Sequence, residues 1–177
     1  MGYVLKHTRK TWLKGILLSA VLLLVAALVV LSYAPLRTLA TLRKVDDHPL
    51  YVLEYHGGYL FDWYLQQGVD SPIFKRLEAM NRSGGCTTFA AQMPDGEVLY
   101  GRNFDWRPHA ALLLFTDPPG GHASVSMVDI HYLGYRGEER SWTQRLMLLF
   151  APYVTVDGMN EHGLAVSIME VPCRPGP

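Results

Sequence analysis

The sequence predicts an α+β protein, with one apolar helix at the N-terminus followed by a region in which short strands outnumber helices. Three observations carry this expectation. Residues 15–34 run without a charge behind a basic flank. The remainder breaks into short runs rich in Val, Leu, Thr and aromatic residues, punctuated by Gly, Pro and Asn. One pair of those runs closes around Pro94-Asp95-Gly96, where proline pre-sets one turn dihedral and glycine supplies a positive φ. The 177 residues, 49% hydrophobic, suffice for one modest domain beside a membrane segment. The formal net charge is zero, and basic residues cluster only around the apolar run, so no nucleic-acid partner is expected.

Residues 1–14 form the basic flank, with Lys6, Arg9, Lys10 and Lys14. The run 15–34 is long enough to cross a bilayer, since about 20 apolar residues at ~1.5 Å each cover the ~30 Å hydrocarbon core. A cleaved secretory signal is the alternative. Ser32-Tyr33-Ala34 has the small-residue spacing for it, but Pro35 would follow the cut and obstruct it, so an uncleaved anchor is the preferred reading. Basic residues ahead of the span place the N-terminus inside and the rest of the chain outside the cytoplasm, although Arg37, Arg43 and Lys44 reduce the asymmetry.

Residues 35–85 read as a connector or pro-segment. Leu36 to Lys44 continues as a short amphipathic helix, and Tyr51 to Tyr55 is a strand that stops at Gly57-Gly58. The aromatic run Tyr59 to Leu65 is expected to pack against a domain rather than form a ligand box. Ile73 to Met80 reads as a helix ending before Asn81-Arg82-Ser83-Gly84-Gly85, which also contains a glycosylation acceptor pattern. After the hairpin, Ala111 to Phe115 and Ala123 to Ile130 are strands on either side of Pro118-Pro119-Gly120-Gly121. A short hairpin or loop at Gly134 to Arg140 and an apolar Leu146 to Phe150 follow. Tyr153 to Val156 and Leu164 to Val171 are expected to pair around a turn at Asp157-Gly158.

The hairpin also brings chemistry together. A turn centred on Asp95-Gly96 sets Cys86 opposite Asp105, with Arg102 about three residues (~10 Å) back along the partner strand and within reach of a long side chain. A thiol, a guanidinium and a carboxylate would then converge. Residues 102 and 105 fall on opposite faces of a regular strand, so the convergence requires a bulge or strand end near Asn103-Phe104.

Cys86-Thr87-Thr88-Phe89, the turn at Asp95-Gly96 and then Gly101-Arg102-Asn103-Phe104-Asp105-Trp106 together resemble the start of mature choloylglycine hydrolase-like enzymes. That family includes bile salt hydrolases, penicillin V acylases and related acyltransferases, all N-terminal-nucleophile (Ntn) hydrolases. A second block, Asp157-Gly158-Met159-Asn160-Glu161-His162-Gly163-Leu164, is similar to a family motif found about seventy residues after the nucleophile, as it is here. The resemblance covers about 86 to 172. It implies the N-terminal part of an αββα sandwich over 86–177, in a family whose members are typically longer. A missing C-terminal half of the domain is therefore an expected partner of this stretch.

The implied reaction is hydrolysis of a linear amide, or acyl transfer by the same fold, through a thioester on Cys86. Cleavage between Gly85 and Cys86 would leave a thiol and a free α-amine on one residue. Such groups ordinarily titrate at about 8.5 and about 7.7–8.0, so the amine can take the thiol proton near neutral pH without a histidine. Arg102 is then expected to pair with the thiolate, and Asp105 to hold the amine. The bland readings are a buried structural cysteine or a Cys86–Cys173 disulfide, a surface ion pair for Arg102 and a turn or cap role for Asp105. Asn160 and Glu161 are expected in a turn that forms the wall beside the nucleophile. Asn160 and Glu170 are the substrate-binding candidates. Glu170 stands where bile salt hydrolases place an oxyanion-hole asparagine, and a carboxylate there opposes a developing oxyanion, which argues against bile salts as substrates. No cofactor and no metal are expected, because Glu161-His162 lacks a second histidine four residues away. The remaining partners are a small-molecule amide and the membrane. The rival from another class is a non-catalytic, membrane-tethered fragment.

Overall fold

The computed structural model describes residues 2–67, 85–105, 110–135 and 141–169, and the chain divides into two compact units, Met1–Arg37 and Thr38–Pro177. The first is the bulk of one long helix, α1 (Gly2–Ala40). From Lys14 onward α1 is long and apolar enough to cross a membrane. Its Leu, Val and Ile side chains from Ile16 to Leu36 are exposed, unlike those of a helix in a soluble core. A secretory signal shares this length and composition. Ser19 and Ser32 donate to Gly15 O and Leu28 O one turn back, so their hydroxyls are satisfied within the apolar run.

The second unit is mixed α and β. Its elements are β1 (Arg43–Asp46), β2 (Leu50–Tyr55), α2 (Phe61–Gln67), β3 (Gly85–Gln92), β4 (Val98–Asp105), β5 (Ala111–Thr116), β6 (Ser124–Asp129), α3 (Trp142–Met147), β7 (Thr155–Asn160) and β8 (Ala165–Ser167). Short 3₁₀ segments lie at Ile130–Leu133 and Leu148–Tyr153. Among the described residues, six strands form one sheet in the order β1-β2-β5-β6-β7-β8, and β3-β4 form a separate hairpin. β2 and β5 run parallel while the other paired strands are antiparallel.

The core follows from period-two alternation in β5. Leu112, Leu114 and Thr116 are buried, so one face of the central strands carries the apolar set. It packs with Tyr51, Leu53 and Val128 under Ile130, Leu133, Tyr135, Leu148, Ala151 and Val154. Tyr51 and Tyr135 meet edge to face with ring centroids 5.3 Å apart. Each fully buried Leu, Val or Ile contributes roughly 1.5–3 kcal/mol relative to exposure.

Two expectations are corrected here. Residues 35–85 are not merely a connector, because β2 lies inside the six-stranded sheet, with Tyr51, Val52 and Leu53 buried. Thr38 and Thr41 tie the start of this unit to the end of β2: Thr38 Oγ1 accepts from His56 N at 2.9 Å and Thr41 Oγ1 from Glu54 N at 3.0 Å. The other correction concerns Asp157-Gly158, which is not a turn. β7 runs straight through it, and the chain reverses at Glu161–Leu164, where Gly163 takes φ +80°. Gly158 instead permits close strand approach. A Cβ there would lie 2.5 Å from Ser126 Oγ and 3.0 Å from Val125 O, so the sequence signal for a turn was a signal for tight packing.

Of the aromatic run, Tyr59 packs as expected, while Leu60, Phe61, Trp63 and Leu65 are exposed. Tyr59 sits edge to face on Tyr55 and Tyr153, at 5.8 and 6.2 Å. Burial, followed by the neighbouring Tyr153 and Tyr59 phenols, pushes Tyr55 up to about 12. It therefore remains a neutral donor to Leu149 O, 3.2 Å away, at ordinary pH. The expected helix at 73–80, the acceptor pattern at Asn81 and the segment carrying Glu170 and Cys173 lie outside the described residues.

Candidate functional site

The hairpin turn sets the geometry of the candidate site. Met93 N donates to Glu97 O at 2.7 Å and Gly96 N to Met93 O at 3.0 Å, with Gly96 at φ +91°. Pro94-Asp95-Gly96 is thus a three-residue loop ending in a left-handed glycine, rather than a two-residue turn. The extra loop residue shifts the register by one. Cys86 pairs with Phe104, Thr88 with Arg102 and Gly85 with Asp105, and the pairing runs without a bulge. No bulge falls at Asn103-Phe104, and β4 is regular to its last described residue, Asp105.

Register decides which groups meet. With this pairing Cys86, Thr88, Arg102 and Phe104 share one face of the hairpin, while Gly85, Asn103 and Asp105 share the other. Arg102 Nη2 reaches Cys86 Sγ at 3.5 Å, so the expected thiol–guanidinium pair is formed. Asp105 is not brought to it. Its Oδ1 accepts from Asn103 Nδ2 at 2.6 Å, and its Oδ2 lies 3.8 Å from where a Gly85 Cβ would be. The carboxylate therefore flanks the residue before Cys86 rather than the thiol. Cys86 is a half-buried free thiol.

Arg102 finds its carboxylate elsewhere. Nη1 donates to Asp157 Oδ2 at 2.8 Å, with the Arg102 side chain 4% and the Asp157 side chain 22% exposed. Nη2 also donates to Ile168 O at 2.7 Å, and the guanidinium carbon stands 4.6 Å from the Phe104 ring centroid. One cation thus joins the hairpin to β7 and to the chain just after β8. Thr88 Oγ1 adds a 3.4 Å contact to Met169 Sδ on the same face. Arg102 Nε is buried without a hydrogen-bond partner among the described residues. With its planar fork holding an acid on one nitrogen and a sulfur on another, Arg102 can fix the thiol rotamer and stabilise negative charge on the sulfur.

Asp157 is the residue the sequence reading missed as a site member, since it was assigned to a turn. Its place at the head of the second motif block was the available signal. Asn160 lies three residues along β7 and so on the opposite face from Asp157. Its Oδ1 accepts from His162 N at 3.1 Å and Leu164 N at 2.9 Å, which builds the β7–β8 turn. Asn160 and Glu161 line a separate open cleft of about 700 Å³ with Arg43, Tyr55 and Asp117. The expectation that Asn160 borders the nucleophile is not met by this placement, and Glu170 lies outside the described residues. No protein-family model, curated protein or solved structure matches this chain.

Proposed function

We propose that this chain carries the nucleophile-bearing part of a cysteine amide hydrolase of the N-terminal-nucleophile kind, held at a membrane by α1. The observation that carries the reading is the Arg102 guanidinium, which contacts Cys86 Sγ while a nearly buried ion pair anchors it to Asp157 in the second motif block. In the mature site the Cys86 α-amine takes the thiol proton, and the sulfur attacks the amide carbonyl. The amine product leaves with a proton, and water opens the thioester to regenerate the thiol.

The α-amine must first be freed from Gly85. The Cys86 thiol attacks the Gly85 carbonyl, the C–N bond breaks as the C–S bond forms, and water hydrolyses the resulting thioester to a Gly85 carboxylate. The fold adds a consequence. Because β2 pairs with β5 along six residue pairs and supplies core side chains, the cut chain stays together as two non-covalent pieces. N-terminal sequencing of purified full-length protein is expected to find a chain starting at Cys86 that co-purifies with residues 1–85, and neither product in Cys86→Ala. An intact and active precursor would show that another group is the base.

The membrane arrangement in this proposal is single-pass, with the second unit outside the cytoplasm, on the basis of the four basic residues ahead of the span. Protease added outside intact cells is expected to digest residues beyond 45. Digestion only from the cytoplasmic face of opened vesicles would reverse the orientation.

A further inference from the structure

Beyond the hairpin, the β6–β7 register assembles a second set of reactive groups. The last ladder pair is Ser124 with Asn160. Glu161 N donates to Ala123 O at 2.9 Å and continues the pairing past it. Two residues out from the ladder, His122 stands opposite His162. Their rings lie edge to face, centroids 4.6 Å apart, with His162 Nε2 3.1 Å from His122 Nδ1. Glu161 Oε1 is 3.5 Å from His122 Nδ1 and is oriented by a 3.1 Å hydrogen bond from Ala123 N. Two imidazole nitrogens and one carboxylate oxygen therefore lie within 4.8 Å of one another.

Mutual hydrogen bonding gives this arrangement little reason to exist. The three side chains are exposed, and polar or charged pairs in water contribute about 0–1 kcal/mol. A shared cation accounts for it better. Two nitrogens each about 2.0–2.1 Å from a tetrahedral zinc stand roughly 3.3 Å apart, close to the separation here. Two imidazoles with a carboxylate also form the borderline-soft donor set that zinc takes with one position left open. The supporting backbone is already fixed. Asn160 Oδ1 holds the turn through His162 N and Leu164 N, and Gly163 supplies the left-handed residue.

We propose that His122, Glu161 and His162 bind one zinc ion, which clasps the β5–β6 loop to the β7–β8 turn at the rim of the cleft that Glu161 also lines. The sequence hid this site because the ligands come from two loops, with only Glu161-His162 adjacent. The inference does not depend on the Cys86 chemistry.

The test uses untagged full-length protein in detergent, stripped with chelator and dialysed against zinc chloride. One zinc per chain is expected by elemental analysis. His122→Ala and His162→Ala should each weaken binding by roughly 100-fold, a loss at least as large as those seen when groups behind a ligand are removed. A second readout on the wild type needs no variant to fold: zinc should protect His122 and His162 from carbethoxylation, mapped by peptide mass spectrometry. The proposal is overturned if stripped protein takes up no stoichiometric zinc. Zinc retained by the His122→Ala/His162→Ala protein would equally sink it, as would equal modification of both rings with and without the ion.

Discussion

Replacing Cys86 by alanine is expected to reduce amide turnover by on the order of 10⁴-fold or more, the scale seen when a covalent nucleophile is removed from an otherwise intact site. The thiol is half-buried and free, with a guanidinium nitrogen 3.5 Å from its sulfur, so it has both access and a counter-charge. Cys86→Ser should retain a trace, because a hydroxyl at neutral pH is the weaker nucleophile. Chromogenic N-acyl anilides of varied chain length provide the assay, and added hydroxylamine separates hydrolysis from acyl transfer by trapping the acyl group. Unchanged turnover in Cys86→Ala, with correct folding by circular dichroism, would reject Cys86 as nucleophile.

How much of this was legible in the sequence depended on how local each signal was. The apolar helix, the hairpin and the strands at 50–55, 111–116 and 124–129 came from runs of residue type that act within a few positions. Register did not. The turn residues Pro94-Asp95-Gly96 suit two- and three-residue loops alike, and that single residue decides whether Cys86 faces Asp105 or Phe104. It also makes Cys86 and Arg102 share a face without any bulge. The Gly158 signal failed in a similar way, since glycine marks either a turn or a close backbone approach, and only the position of Ser126 across the ladder tells them apart.

Long-range pairing was the least visible. Nothing in Leu50–Tyr55 announces that it will run parallel to β5 across the intervening hairpin, so the strand is legible but its place in the sheet is not, and residues 35–85 read as a connector around it. The result bears on the proposed maturation. A pro-segment that supplies Tyr51 and Leu53 to the core cannot leave without exposing apolar surface, which makes a permanent two-piece enzyme the expected product rather than a shed one.

The ion pair between Arg102 and Asp157 carries the largest expected effect on stability. The Arg102 side chain is almost wholly buried and that of Asp157 largely so. Removing one partner strands the other charge in a poorly solvated place, which costs about 3–5 kcal/mol in fully buried pairs. Partial exposure of Asp157 places this pair near the lower end. Arg102→Met and Asp157→Asn should therefore each lower the unfolding free energy by about 2–4 kcal/mol in urea. The double variant Arg102→Met/Asp157→Leu should recover much of the loss, since neither charge is then left unpaired. The two single variants separate structure from chemistry. Asp157→Asn keeps the guanidinium beside the thiol but loosens its anchor, making Asp157 a positioning residue, and the rate of Cys86 alkylation by iodoacetamide at a fixed pH should move toward that of Arg102→Met. Single variants within about 0.5 kcal/mol of wild type, or an alkylation rate unmoved in both, would show that the pair neither holds the hairpin to β7 nor positions the thiol.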